Sequence, residues 1–180
     1  METVIFYTIQ LLGIVATAFY LYSDIQEDDQ ELDKLYTIGN VFFLLHLLLL
    51  KSFLPAITVF LAVVRNTLNN KYPNNNIIKY TFTSIFFGIF FYALSYTDSW
   101  QNALPATVSL IMTFAFLYTK GNMLTALIAL CSVLWFVVGY SINSLPIMIL
   151  EVASIILLLY RAYKQNKSNK KTLEEANSTI

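Results

Sequence analysis

Seven apolar stretches run almost end to end through this chain of 180 residues, with only short polar breaks between them. Hydrophobic residues make up 57% of the chain and charged residues 12%. A water-soluble domain of this size cannot hide so much apolar surface in one core, because a large share of its surface stays exposed. A hydrocarbon bilayer removes the conflict. Backbone polar groups inside a bilayer must be satisfied within the spanning segment, so apolar runs of this length are read as helices. The chain reads as an all-α transmembrane protein.

A helix that crosses the hydrocarbon needs about 20 apolar residues, with about 17 as the lower limit. The expected spans are Val4–Tyr22, Leu35–Leu50, Phe53–Leu68, Ile77–Leu94, Ala103–Thr119, Met123–Tyr140 and Leu145–Tyr163. Met1-Glu2-Thr3 carries no positive charge and no small-residue cleavage site precedes the acidic loop. Residues 4–22 are therefore expected to be a retained first span rather than a signal peptide. Lys51-Ser52 alone separates the second and third spans, which makes a tight hairpin with Pro55 in the first turn of the third. Asn69–Asn76, with Pro73, and Ser95–Asn102 read as polar loops. Lys120-Gly121-Asn122 is the break before the sixth span, and Pro146 falls in the first turn of the seventh. Residues 1–165 form one membrane domain on this reading, and 166–180 a mobile polar cytoplasmic tail.

Net charge is zero, with eleven basic and eleven acidic residues unevenly placed. Asp24, Glu27, Asp28, Asp29, Glu31 and Asp33 crowd the first loop, and Arg161, Lys164, Lys167, Lys170 and Lys171 crowd the end. With an odd number of spans the two termini lie on opposite sides. An external N-terminus puts Lys34, Arg65, Lys71, Lys79, Lys120 and the five terminal bases in the cytoplasm, and leaves only Lys51 outside. Basic residues set orientation and acids contribute little, so the expected arrangement is N-terminus out and C-terminus in. No basic face alternates with aromatics, so nucleic acid is not an expected partner; the lipid bilayer is.

An internal repeat is visible. The second and third spans, and the sixth and seventh, each form a hairpin whose short turn is followed by Leu-Pro: Leu54-Pro55 and Leu145-Pro146. Each hairpin ends in a basic stretch on the same side. Three spans (residues 4–68), a linker span (77–94) and three more spans (103–163) give two units of equal orientation. Such a parallel 3+1+3 repeat has its axis along the membrane normal, as in small transporters of the SWEET type.

Ionisable groups within spans are costly and need a reason. Glu151 lies seven residues into the last span among apolar neighbours, roughly 10 Å deep at helical rise. It is either a proton- or substrate-binding carboxylate or a hydrogen bond between helices. His46, the single histidine, lies near the outer end of the second span. It is either an interfacial ring or a partner of Glu151 from the other unit, a pair that would titrate near neutrality. Arg65 is a snorkelling anchor at a span end, or a cytoplasmic gate or anion contact. Gly39 and Asn40 allow close approach and hydrogen bonding between helices. Thr107, Ser109 and Thr113 recur at roughly helical spacing and either line a polar path or bond back to their own helix. Trp100 reads as an interface anchor, and Trp135 as a core residue or a surface for a substrate ring. Cys131, the single cysteine, excludes an internal disulfide and reads as a small buried hydrophobe. There is no phosphate-binding glycine loop and no hydrolase or kinase motif, so neither catalysis, a metal nor a cofactor is expected.

Three segments carry a resemblance to a known family. His46 is followed by Pro55 and Arg65; Leu104-Pro105 leads through Ala115 to Lys120-Gly121; Trp135 is followed by Glu151 and a basic helix end. In order and spacing, over about residues 34–165, the chain resembles the YgjV family of bacterial inner-membrane proteins. The resemblance implies an inner-membrane location and an architecture similar to the SWEET, PQ-loop and nicotinamide-riboside-transporter type. The chain departs from the family pattern in its acidic first loop, in Ala62 where an asparagine is expected, and in Val138-Gly139 where a polar pair is expected.

Two functions fit. One is a small-solute transporter with a midplane site between the two units, built on Glu151, His46, Trp135, Thr107 and Asn40, with Arg65 as gate or anchor. The other is a structural or accessory membrane protein, whose interior would be packed solid with Leu, Ile and Phe. A homo-oligomer is compatible with either.

Overall fold

The computed structural model describes the backbone of residues 2–51, 53–96, 100–141 and 145–178, and the side chains of 7–51, 53, 55–96, 103–141 and 148–167. The described residues form seven helices and no strand: α1 Glu2–Asp24, α2 Asp29–Leu49, α3 Phe53–Lys71, α4 Asn76–Tyr96, α5 Trp100–Tyr118, α6 Gly121–Ser141 and α7 Leu145–Ser178. The helices Asp29–Leu49, Asn76–Tyr96 and Gly121–Ser141 are each long and apolar enough by composition to cross a membrane. The side chains of Trp100, Leu54, Leu145 and Pro146 lie outside the described residues.

Each expected span lies within one helix, or ends a residue beyond it, and the differences sit at helix ends. α2 starts at Asp29 rather than Leu35 because Asp28 caps it, accepting the Gln30 and Glu31 amides at 2.7 and 3.0 Å. An N-cap carboxylate satisfies amides that a helix start leaves open, and Asp29 and Glu31 favour the positive end of the helix dipole. Those amide bonds hold the Asp28 carboxyl below the usual carboxylate range. Much of the expected acidic loop is therefore helix. α3 runs on through the first asparagines to Lys71, and Asn75 caps α4 through the Ile77 amide at 2.9 Å. α7 continues beyond its apolar run to Ser178. The α2–α3 hairpin closes on Lys51 with φ 57°, and Gly121 opens α6 with φ 56°, a left-handed value that favours glycine.

Large apolar side chains cover the outside of the bundle as well as its core, and several charged and polar side chains are buried. Phe60, Phe91, Ile149, Ile156 and Leu159 are each more than half exposed, whereas Arg65, Asn66, Thr113, Asp24 and Arg161 are buried. Apolar exposure on this scale suits lipid contact, not water. Inside the bundle, α1 packs on α2 and α7, α2 on α3, α3 on α5, α5 on α6, and α6 on α7. These six helices close a ring, and α4 leans on α3 and α5. Phe82 and Phe86 of α4 pack there with Leu117. Leu32, Tyr36, Phe116, Leu124, Ile128 and Leu158 form a second cluster that ties α2, α5, α6 and α7 together.

Candidate functional site

A cavity of about 670 Å³ occupies the middle of the ring, and all seven helices contribute to its wall. On α1 the wall runs from Gln10 to Tyr20, about 15 Å of helix at 1.5 Å per residue, or about half the hydrocarbon thickness. The bundle has a His46 end and an Arg161 end. Of the residues expected to form a site, Glu151, His46, Trp135, Asn40 and Arg65 all stand on this wall. Thr107 is not on it; its hydroxyl bonds back to the Ala103 carbonyl at 3.0 Å. Ser109, two residues on, is on the wall instead.

Glu151 and Ser154 share a face of α7, one turn apart. The Glu151 carboxylate takes a hydrogen bond from the Ser132 hydroxyl of α6 and faces the Asp24 carboxylate at the end of α1. Asp24 in turn accepts from the Ser154 hydroxyl and from the Tyr36 hydroxyl, the latter at 3.0 Å. Asp24 lies beyond the apolar run of the first span. Burial pushes its carboxyl up to about 7, against the opposing pull of the Ser154 and Tyr36 hydroxyls and the Arg161 charge.

His46 does not bond to Glu151. Its Nδ1 donates to the Ile9 carbonyl of α1 at 2.8 Å, a carbonyl being able only to accept, and its ring stacks on Phe43 with centroids 5.9 Å apart. Gly13 leaves the room for that ring: a Cβ there would lie 3.2 Å from His46 Cε1. The close approach expected at Gly39 is present, for the Tyr20 ring lies against it. The Tyr20 hydroxyl donates to Asn40 Oδ1 at 2.9 Å, which joins α1 to α2 beside the cavity.

Arg65 is buried rather than snorkelling. Its Nη1 donates to Thr113 Oγ1 at 2.6 Å and its Nε to Asn66 Oδ1 at 2.8 Å. The guanidinium carbon lies 5.6 and 5.4 Å from the Phe86 and Phe116 ring centroids, within cation–π range. Its acidic neighbour is Asp33. Ser109 and Thr113 both bond back along α5, to Pro105 and Ser109 carbonyls at 2.9 and 2.8 Å.

The sequence reading missed the network at the Arg161 end. Arg161 was counted among the terminal bases, yet it is fully buried. Its Nη2 pairs with Asp29 at 2.5 Å, its Nη1 donates to Thr125 at 2.6 Å, and its Nε donates to the Gln26 carbonyl. Asp29 also accepts the Gly121 amide at 2.6 Å. A guanidinium fork is suited to holding several acceptors at once. A signal for this was present: Glu151, Ser154, Leu158, Arg161 and Gln165 recur on one face of α7 at a seven-residue repeat.

A family model described as Imp-YgjV, bacterial inner membrane protein, matches residues 7–169. The chain belongs to the Imp-YgjV family. The membrane this Imp-YgjV protein occupies is the bacterial inner membrane. Searches of curated proteins and of solved structures return no significant match. The matched segment of the Imp-YgjV family contains every cavity residue named above.

Proposed function

We propose that this protein binds a small solute in the central cavity and carries it across the inner membrane by rocking of two three-helix units, α1–α3 and α5–α7, with α4 as the linker. The observation that carries the reading is the cavity, walled by side chains from every helix and mainly apolar, with Arg65, Glu151, His46, Asn40, Ser109 and Ser132 set into that lining. Its volume of about 670 Å³ falls within the range of small-molecule sites. Polar and ionisable groups at membrane depth are costly and mark solute or ion paths. The solid apolar interior that an accessory role calls for is not what these helices enclose.

The packing supports two related units. Exchanging α1 with α5, α2 with α6 and α3 with α7 turns the α1–α7 contact into the α5–α3 contact, and both are present. Bonds between the units support a gate. Arg161 to Asp29, Ser154 to Asp24, Gly121 to Asp29 and Gln165 to the Glu27 carbonyl join the α1–α2 connection to α6 and α7. They hold the two units together at the Arg161 end. That end faces the cytoplasm on the basic-residue distribution, with the N-terminus outside.

The test is thermal unfolding of the purified protein against a panel of small metabolites, repeated with Ala62→Phe and Ser109→Phe, which fill the cavity. The expected result is a metabolite that stabilises the wild type and has no effect on either filled variant. A panel without effect on the wild type, together with filled variants more stable than it, contradicts the reading.

A further inference from the structure

The charges on and near the cavity wall are not evenly paired. Glu151 and Arg65 stand on the wall; Asp24, Asp33 and Arg161 are buried off it, and Asp29 is half-buried at the Arg161 end. Asp33 faces Arg65. Asp29 pairs with Arg161, which also acts on Asp24. Among the described residues the charged group facing Glu151 is another acid, Asp24. The other polar groups around Glu151 are the Ser132 hydroxyl and the Cys131 thiol of α6 and the Tyr36 hydroxyl of α2. None of these supplies a positive charge at the cavity wall.

A lone carboxylate inside a membrane bundle is neutralised by a proton or by a bound cation. The cavity that Glu151 lines also carries aromatic side chains. Trp135 lies one turn along α6 from Ser132, and Tyr20 and Tyr36 stand on the α1 and α2 side. Aromatic faces attract ammonium groups. The alternative, an anion on Arg65, meets a guanidinium already held by Thr113, Asn66, two phenyl rings and Asp33.

We infer that the solute is a small organic ammonium ion, its charge held by Glu151 and its apolar body by the aromatic wall. This rests on the cavity being the solute site. In the empty cavity a proton stands in for the cation. Binding places the ammonium against the Glu151–Asp24 pair and releases that proton to solvent, so the cavity's charge is unchanged.

The experiment is titration calorimetry on the full chain in lipid nanodiscs, in buffers of different ionisation enthalpy so that protons are counted. The probes are phenethylamine, phenethyl alcohol and phenylacetate, which share a body and differ in charge. Phenethylamine is expected to bind more tightly than the other two, with release of about one proton and with affinity rising as pH rises. Glu151→Gln is expected to weaken it at least about tenfold and abolish proton release, while Glu151→Asp retains release. Equal or tighter binding of the alcohol or the acid, or amine binding indifferent to Glu151→Gln, overturns the cation assignment and leaves the cavity a solute site. If no probe binds, the cation assignment falls. The solute reading falls with it only when the metabolite panel is blank as well.

Discussion

The Tyr20 ring of α1 lies where a side chain on Gly39 of α2 would have to go, with Cε1 2.8 Å from an ideal Cβ. The Ala16 carbonyl is 3.3 Å from the same point. Helices in a bilayer associate through such close packing, since lipid offers no hydrophobic drive between them. Gly39→Ala is therefore expected to destabilise the bundle by about 1–3 kcal/mol, the usual cost of overpacking. Thermal unfolding in detergent measures it. Tyr20→Leu, which removes the ring, should restore part of the loss.

Arg161 holds Asp29, Thr125 and the Gln26 carbonyl from a fully buried position. Arg161→Gln leaves Asp29 unpaired at the junction of α1, α2 and α6. Removing one partner of a buried ion pair costs about 3–5 kcal/mol. Asp29 is partly exposed, so the lower figure is expected. The double variant Arg161→Gln with Asp29→Asn should recover part of that loss, since neither charge is then left alone. Single-variant losses that simply add in the double variant argue against the pair.

The Asp24 carboxyl, raised by burial to about 7, makes stability depend on pH. Between its unfolded value of about 4 and its folded value, the folded protein holds a proton that the unfolded chain has released. Stability is therefore expected to fall as pH rises through that window. Asp24→Asn should flatten the slope across it. A wild-type slope unchanged in Asp24→Asn places the titration elsewhere.

The helices were legible because hydropathy and length constrain a bilayer-spanning segment strongly. Helix ends were less legible. Capping by Asp28 and Asn75 draws polar residues into α2 and α4, and hydropathy alone assigns them to loops. In the cavity, Glu151 stood out because a charge deep in an apolar run has no cheap explanation. Asp24 and Arg161 did not. Each lies at the end of its apolar run, where a charge is ordinarily an exposed anchor, and only the packing of α1 against α7 buries them. His46 was expected in the site, with Glu151 as one candidate partner; the Ile9 carbonyl it bonds instead leaves no trace in side-chain identity. Thr107 and Ser109 are two residues apart with the same chemistry, and only the rotation of α5 decides which one faces the cavity.

The orientation has its own test. Alkaline phosphatase, active only outside the cytoplasm, should be active when fused to the N-terminus. A fluorescent protein that matures in the cytoplasm should glow at the C-terminus. Both reporters active on one side contradict the arrangement drawn from the basic residues.

The most direct measurement is the reactivity of single cysteines along α5. In a Cys131→Ser background, Ser109→Cys and Thr107→Cys are exposed to a small, membrane-impermeant cationic thiol reagent in cells. A water-accessible solute cavity predicts that Ser109→Cys is labelled and Thr107→Cys is not, with labelling of Ser109→Cys slowed by a stabilising metabolite. If both positions are inert, the bundle is sealed and the proposed solute site does not exist in the membrane.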